Sequence, residues 1–146
     1  MTDAQLIDTA LSFALDVHQG QEDRGGHAYI LHPLTLMTQM DTTEERLAAL
    51  LHDTIEDSDR TLDDIRALGM PAEVVEAVYL LTHDKSAMTY EAYVHRLKSN
   101  PIARKVKLAD LEHNMDIRRN RPVDPEDLPR LNKYLRAWDT LAGDDL

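Results

Sequence analysis

Thr42-Thr-Glu-Glu-Arg-Leu-Ala-Ala-Leu-Leu-His-Asp-Thr-Ile-Glu-Asp57 is the stretch on which the fold turns. Thr42 with Glu45 forms a capping box, in which side chains and backbone N–H groups at a helix start satisfy one another. Leu47, Leu50, Leu51 and Ile55 follow at helical spacing, which predicts a helix with a broad apolar face. The same punctuation recurs on both sides. Thr2 with Gln5 opens a helix through Leu6, Ile7, Ala10, Leu11, Ala14 and Val17 that should stop near Gly20. Residues 20–31 hold Gly20, Gly25 and Gly26 with Asp23 and Arg24 and read as a loop. Pro33 suits the first turn of the next helix, with Leu36, Met37 and Met40 on its apolar face.

Beyond residue 57, Thr61 and Asp64 begin a short helix that Gly69 can end in a left-handed conformation. Pro71 opens a helix carrying Val74, Val75, Val78 and Leu81, and Thr89 one carrying Tyr90, Tyr93, Val94 and Leu97. Asn100-Pro101 starts a helix with Val106, Leu108, Ala109 and Leu111, and Asp124-Pro125-Glu126 the last, with Leu128, Leu131, Leu135, Trp138 and Leu141. No run alternates in the manner of a strand. The expected fold class is all-α, about eight helices, in a single domain spanning 1–146.

Composition narrows the function. The formal net charge is −11, which argues against a protein that coats DNA or RNA. Cysteine is absent, excluding disulfides, thiolate metal sites and thiol nucleophiles. The N-terminus is polar and acidic where a secretory leader would be basic then apolar, and no window approaches the roughly 18 apolar residues of a membrane span. A cytoplasmic protein is expected.

The candidate chemistry lies in His52-Asp53-Thr-Ile-Glu56-Asp57. If the helix continues, i,i+4 spacing places His52 over Glu56 and Asp53 over Asp57. Carboxylates so crowded repel unless a cation is present, and imidazole with carboxylate suits a divalent metal. His32, beside Pro33, and Asp110, inside the apolar run Val106–Leu111, are the partners that would complete the set. Two nitrogens and two oxygens leave an octahedral ion about two open positions, the pattern of Mn²⁺, Fe²⁺ or Mg²⁺ rather than of a closed structural zinc. The plainer alternative is that His52 is a satisfied core histidine and Glu56-Asp57 a solvated helix end. His83-Asp84 reads as a cap or loop, and His18 and His95 as surface residues.

Five ordered motifs carry a resemblance: Ala10-Leu-Ser-Phe-Ala14, His18-Gln-Gly-Gln21, Tyr29-Ile-Leu-His-Pro-Leu34, Ala48–Asp57 and Val106-Lys-Leu-Ala-Asp-Leu-Glu-His-Asn114. Over roughly residues 4–118 the chain resembles the HD-domain hydrolases of the RelA/SpoT type, in particular the small stand-alone alarmone hydrolases. The resemblance implies an HD-type helical bundle holding one Mn²⁺ on His32, His52, Asp53 and Asp110. It further implies Glu56 and Asp57 as catalytic acids and Arg24, Lys107 and Asn114 as substrate contacts. The implied reaction removes the 3′-pyrophosphate from guanosine 3′,5′-bis(diphosphate) (ppGpp) or its pentaphosphate relative, giving GDP or GTP.

The chain departs from the family pattern in its first loop, where an Arg-Lys pair becomes Asp23-Arg24. The lost cation commonly faces the guanine base; a carboxylate there would accept from a base amino group or repel the nucleotide. Gly-x-Pro-Tyr becomes Gly26-His27-Ala28-Tyr29, and Arg-Leu-His-Asn becomes Leu111-Glu112-His113-Asn114. Two alternatives therefore stand beside the implied function: a phosphohydrolase acting on another nucleotide or a phosphorylated dinucleotide, and a non-catalytic helical module that binds a nucleotide or protein. Between Arg96 and Arg121 eight basic residues face three acidic ones, a local +5. This segment reads either as a solvated helix and loop or as a cationic wall for a small anionic nucleotide.

Overall fold

The computed structural model describes residues 1–56, 58–119 and 122–143. Its elements are α1 (Asp3–Val17), α2 (Leu31–Thr38), α3 (Thr43–Leu51), α4 (Leu62–Ala67), α5 (Ala72–Leu81), α6 (Tyr90–Leu97), α7 (Pro101–Asn114) and α8 (Leu128–Ala142), with 3₁₀ turns at Ile117–Arg119 and Pro125–Asp127. Among the described residues the only β pairing is an isolated antiparallel bridge between Glu22 and Ala28. The all-α expectation holds. No helix among the described residues is long and apolar enough to cross a membrane.

Local chemistry sets the helix starts. Thr2, Thr42 and Thr61 close capping boxes with Gln5, Glu45 and Asp64, and the Thr89 and Asn100 side chains cap α6 and α7. Gly69 ends α4 at φ +86°, a conformation that costs a glycine little.

Helix α3 lies at the centre, packed against α1, α2, α5 and α7, and Leu47 to Leu51 are all buried. Ala48 and Ala49 face a core shared with Leu36, Leu81, Leu97, Val106, Leu111 and Leu141. Leu47, Leu50 and Leu51 face a second core of Ala10, Ile65, Val74 and Val78. From Leu47 on, α3 is apolar all round and buried on every side, whereas its first turn, Thr43 to Arg46, is polar and partly exposed.

Two expectations need correction. The helix begun at Thr42 stops at Leu51 rather than running through Ile55, because the Thr54 hydroxyl and N–H both take the Leu51 carbonyl. Residues 52–56 form turns, so the expected stacking of His52 on Glu56 is not made along one helix face. In α8, Leu128 and Leu135 are exposed, and Leu131 and Trp138 are half-buried. The inward stripe keeps the expected Trp138 and Leu141 and adds Tyr134 and Ala137, where small Ala137 allows close approach to the α6–α7 layer.

Candidate metal centre and nucleotide site

Three elements deliver the cluster. His32 lies in the first turn of α2, His52 is the C-cap of α3, and Asp110 projects from the middle of α7; all three are buried. One ligand atom from each lies within 4.8 Å of the others. His32 Nε2 is 2.7 Å and His52 Nε2 3.5 Å from Asp110 Oδ1, while His52 Nε2 is 3.8 Å from Asp53 Oδ2. Three of the four residues expected as ligands, His32, His52 and Asp110, therefore meet, with Asp53 beside His52, and lone pairs from imidazole and carboxylate fit a divalent ion.

The surrounding hydrogen bonds orient the rings. His52 Nδ1 donates to the Ala49 carbonyl at 2.7 Å, which leaves Nε2 to face the cluster. His32 Nδ1 lies 2.7 Å from His113 Nδ1, so one ring must donate and the other accept. Burial and the Arg119 cation hold the His113 pKa down to about 4, which makes it neutral and able to accept from His32. Burial opposes charge on His52, but Asp53 and Asp110 overcome this and raise its pKa to about 9. Asp110 is held well below the usual carboxylate range despite burial, with Lys107 Nζ 2.9 Å from Oδ2 and Asn114 Nδ2 3.0 Å from Oδ1. Lys107 itself lies over the rings of Tyr90 and Tyr93.

A cavity of about 270 Å³ opens beside the cluster, lined by His52, Asp53, Glu56, Lys107, Asp110 and Asn114, with Lys85 and Lys133 from other elements. Glu56 is at its edge, one oxygen accepting the His83 N–H at 2.7 Å. Asp57 lies outside the described residues. Arg24 is not in this cavity; it is exposed on a neighbouring one of about 400 Å³ that Asn114 and His32 also border.

No protein-family model matches the chain. It is 37% identical over 134 residues to the guanosine-3′,5′-bis(diphosphate) 3′-pyrophosphohydrolase MESH1 of Mus musculus, covering 82% of this chain and 73% of that protein. The chain belongs to the MESH1-type pyrophosphohydrolase family. It is 36% identical over 115 residues to the bifunctional (p)ppGpp synthase/hydrolase SpoT of Escherichia coli, of which it spans only 16%. A solved structure of a metazoan ortholog of SpoT that hydrolyses ppGpp superposes with a TM-score of 0.80 at 25% identity, over 99% of this chain and 89% of that one. The HD-type helical bundle is thus the family's fold.

Within this MESH1-type site the structure adds residues that the sequence reading passed over. His18, expected on the surface, is buried, with Nε2 3.5 Å from Asp53 Oδ1 and Nδ1 2.9 Å from Gln21 Oε1. A signal existed: His18 extends the buried stripe Ala10, Ala14 by one more i,i+4 step. The Tyr29 hydroxyl donates to Asp53 Oδ2, and burial together with Asp53 pushes its pKa up. His83 follows α5 in a loop, as expected, but its ring stacks on Tyr93 and lines the cavity. The basic run between Arg96 and Arg121 is largely engaged within the fold. Arg96 takes carbonyls at the end of α5, Arg104 takes those of Leu141 and Gly143, Lys105 pairs with Asp41 and Glu45, and Arg118 pairs with Asp116. From that run, Lys107 and Arg119 line the two cavities.

Proposed function

We propose that this chain removes the 3′-pyrophosphate from ppGpp or its pentaphosphate relative, yielding GDP or GTP, with Mn²⁺ as its metal and the cytoplasm as its compartment. The observation that carries this reading is the convergence of His32, His52 and Asp110, with Asp53 beside His52, at a cavity lined by Lys85, Lys107 and Lys133. The first four residues would hold the ion, which as a Lewis acid acidifies water and offsets phosphate charge.

The protein's own groups do the rest. Lys107, fixed on Asp110 and against two tyrosine rings, places an ammonium beside the reacting phosphate. Glu56, with one oxygen tied to the His83 N–H, uses the other to take the proton of the attacking water. Asp57 is its acidic partner in this assignment, as the resemblance implies. The water oxygen bonds to the phosphorus on the 3′ oxygen, that P–O bond breaks, and a proton returns to the departing 3′ oxygen. Asn114 holds Asp110 and also borders both cavities, placing it where the nucleotide passes from one to the other.

A panel of nucleotides with Mn²⁺ tests the reading. Pyrophosphate released from ppGpp, with no inorganic phosphate from nucleoside monophosphates or 2′-phosphorylated dinucleotides, is the expected result. His52→Ala and Asp53→Ala should lose both bound Mn²⁺ and turnover. Full Mn²⁺ content and activity in both variants would refute the ligand assignment.

A further inference from the structure

Asp23, the acid where a cation was expected, is committed within the protein. Its Oδ1 accepts the N–H groups of Gly25 and His27, each at 2.9 Å, and its Oδ2 accepts from Arg119 Nη2 at 3.0 Å. A carboxylate held by these three donors is poorly placed to accept from a base amino group, and its charge is offset by the guanidinium. The consequence falls on Arg119. Its Nη1 donates to the His113 carbonyl at 2.8 Å, so the planar group is fixed at two of its nitrogens, and its side chain is only 17% exposed. A guanidinium has five N–H donors, and these two bonds leave others for the cavity it borders with Arg24, Arg130 and Tyr134.

The two cavities beside the His/Asp cluster differ in chemistry. One carries Lys85, Lys107 and Lys133; the other carries Arg24, Arg119 and Arg130; Tyr29, Asn114 and Tyr134 border both. Ammonium groups meet a diphosphate as point charges, and a rigid planar fork, which also suits phosphate, is the group that in addition matches a planar edge bearing two acceptors. Guanine has such an edge in O6 and N7. Adenine sets an amino donor beside N7, which would meet the guanidinium donor to donor.

We infer that Arg119, oriented by Asp23 and the His113 carbonyl, is the residue that selects guanine over adenine in this site. The inference rests on the nucleotide reading above. Calorimetric titration of the protein with GDP and with ADP tests it without any need for turnover. The wild type should prefer GDP by on the order of tenfold or more, the discrimination a bidentate contact provides. That preference should fall to within about twofold in both Arg119→Gln and Arg119→Lys. The lysine keeps a cation opposite Asp23 but lacks the fork. Retained GDP preference in Arg119→Lys, or equal weakening of GDP and ADP in Arg119→Gln as a mere loop latch would give, overturns the inference. Pyrophosphate release from ppGpp is scored separately: its absence in the wild type refutes the hydrolase reading, while the GDP-to-ADP ratio still decides the role of Arg119.

Discussion

Glu56 shows how one residue's role depends on a contact far away in sequence. It sits past the end of α3, and its anchor is the backbone N–H of His83, 27 positions on. The carboxylate is thereby aimed across the cavity without being one of the atoms that cluster around Asp110. Glu56→Gln keeps an oxygen to accept the His83 N–H but cannot take a proton. Turnover should drop by about 10²–10⁴-fold, the range for a lost general base, with Mn²⁺ stoichiometry unchanged. Metal analysis beside single-turnover kinetics checks this, and a variant that loses its metal would place Glu56 among the ligands. At this scale the sequence was informative where a residue type was costly unless partnered, as for Asp110 in an apolar helix. It misled for His18, because a histidine at a helix end is compatible with both solvent and core, and only packing against Tyr29 and Asp53 decides.

At the scale of elements, α3 and α7 are joined through an electrostatic clasp that begins as a helix cap. Glu45 Oε1 accepts the N–H groups of Asp41 and Thr42 and also meets Lys105 Nζ of α7 at 3.0 Å. Burial opposes its ionisation, yet these donors hold its pKa below the ordinary 4.5. A carboxyl lowered on folding stabilises the protein above its unfolded pKa, and that contribution disappears as pH falls through the folded value. Urea unfolding between about pH 6 and pH 3 should therefore show a steeper loss of stability in the wild type than in Glu45→Gln, which has no charge to lose. Parallel curves would mean that the clasp contributes nothing to the pH dependence. The capping box itself was legible, since Thr42 and Glu45 stand at the required spacing; the reach to Lys105, 60 positions away, was not. The premature end of α3 is a similar case. The local pattern favours continuing to Ile55, but the Thr54 hydroxyl competes for the Leu51 carbonyl and turns the chain so that His52 meets Asp110 of α7 while Asp53 meets Tyr29 and the end of α1 at His18.

For the whole molecule, the cluster draws on α2, the turn after α3, and α7, with His32 and Asp110 separated by 78 positions. An unfolded chain does not hold that set together, so an ion that binds there stabilises the folded state alone. At a free Mn²⁺ concentration about 100 times its Kd the expected gain is about 2.7 kcal/mol, seen calorimetrically as a rise in Tm that chelator reverses. Asp53→Ala should show little of that rise; an equal rise in the variant would locate the stabilising ion elsewhere. The sequence by itself determined the helical class, most of the helix starts and the residue types able to hold a metal. Capping, period and the cost of a lone buried charge are local properties, readable over a few positions. Only the tertiary structure decided that Asp23 is bound to Arg119, that His18 backs Asp53, and that most of the basic run serves the fold rather than the cavity. Each of those outcomes depends on which donor reaches which acceptor across helices. Net charge of −11 is a sum over the chain, whereas recognition depends on the few cations, Lys107 and Arg119 among them, that packing places at the site.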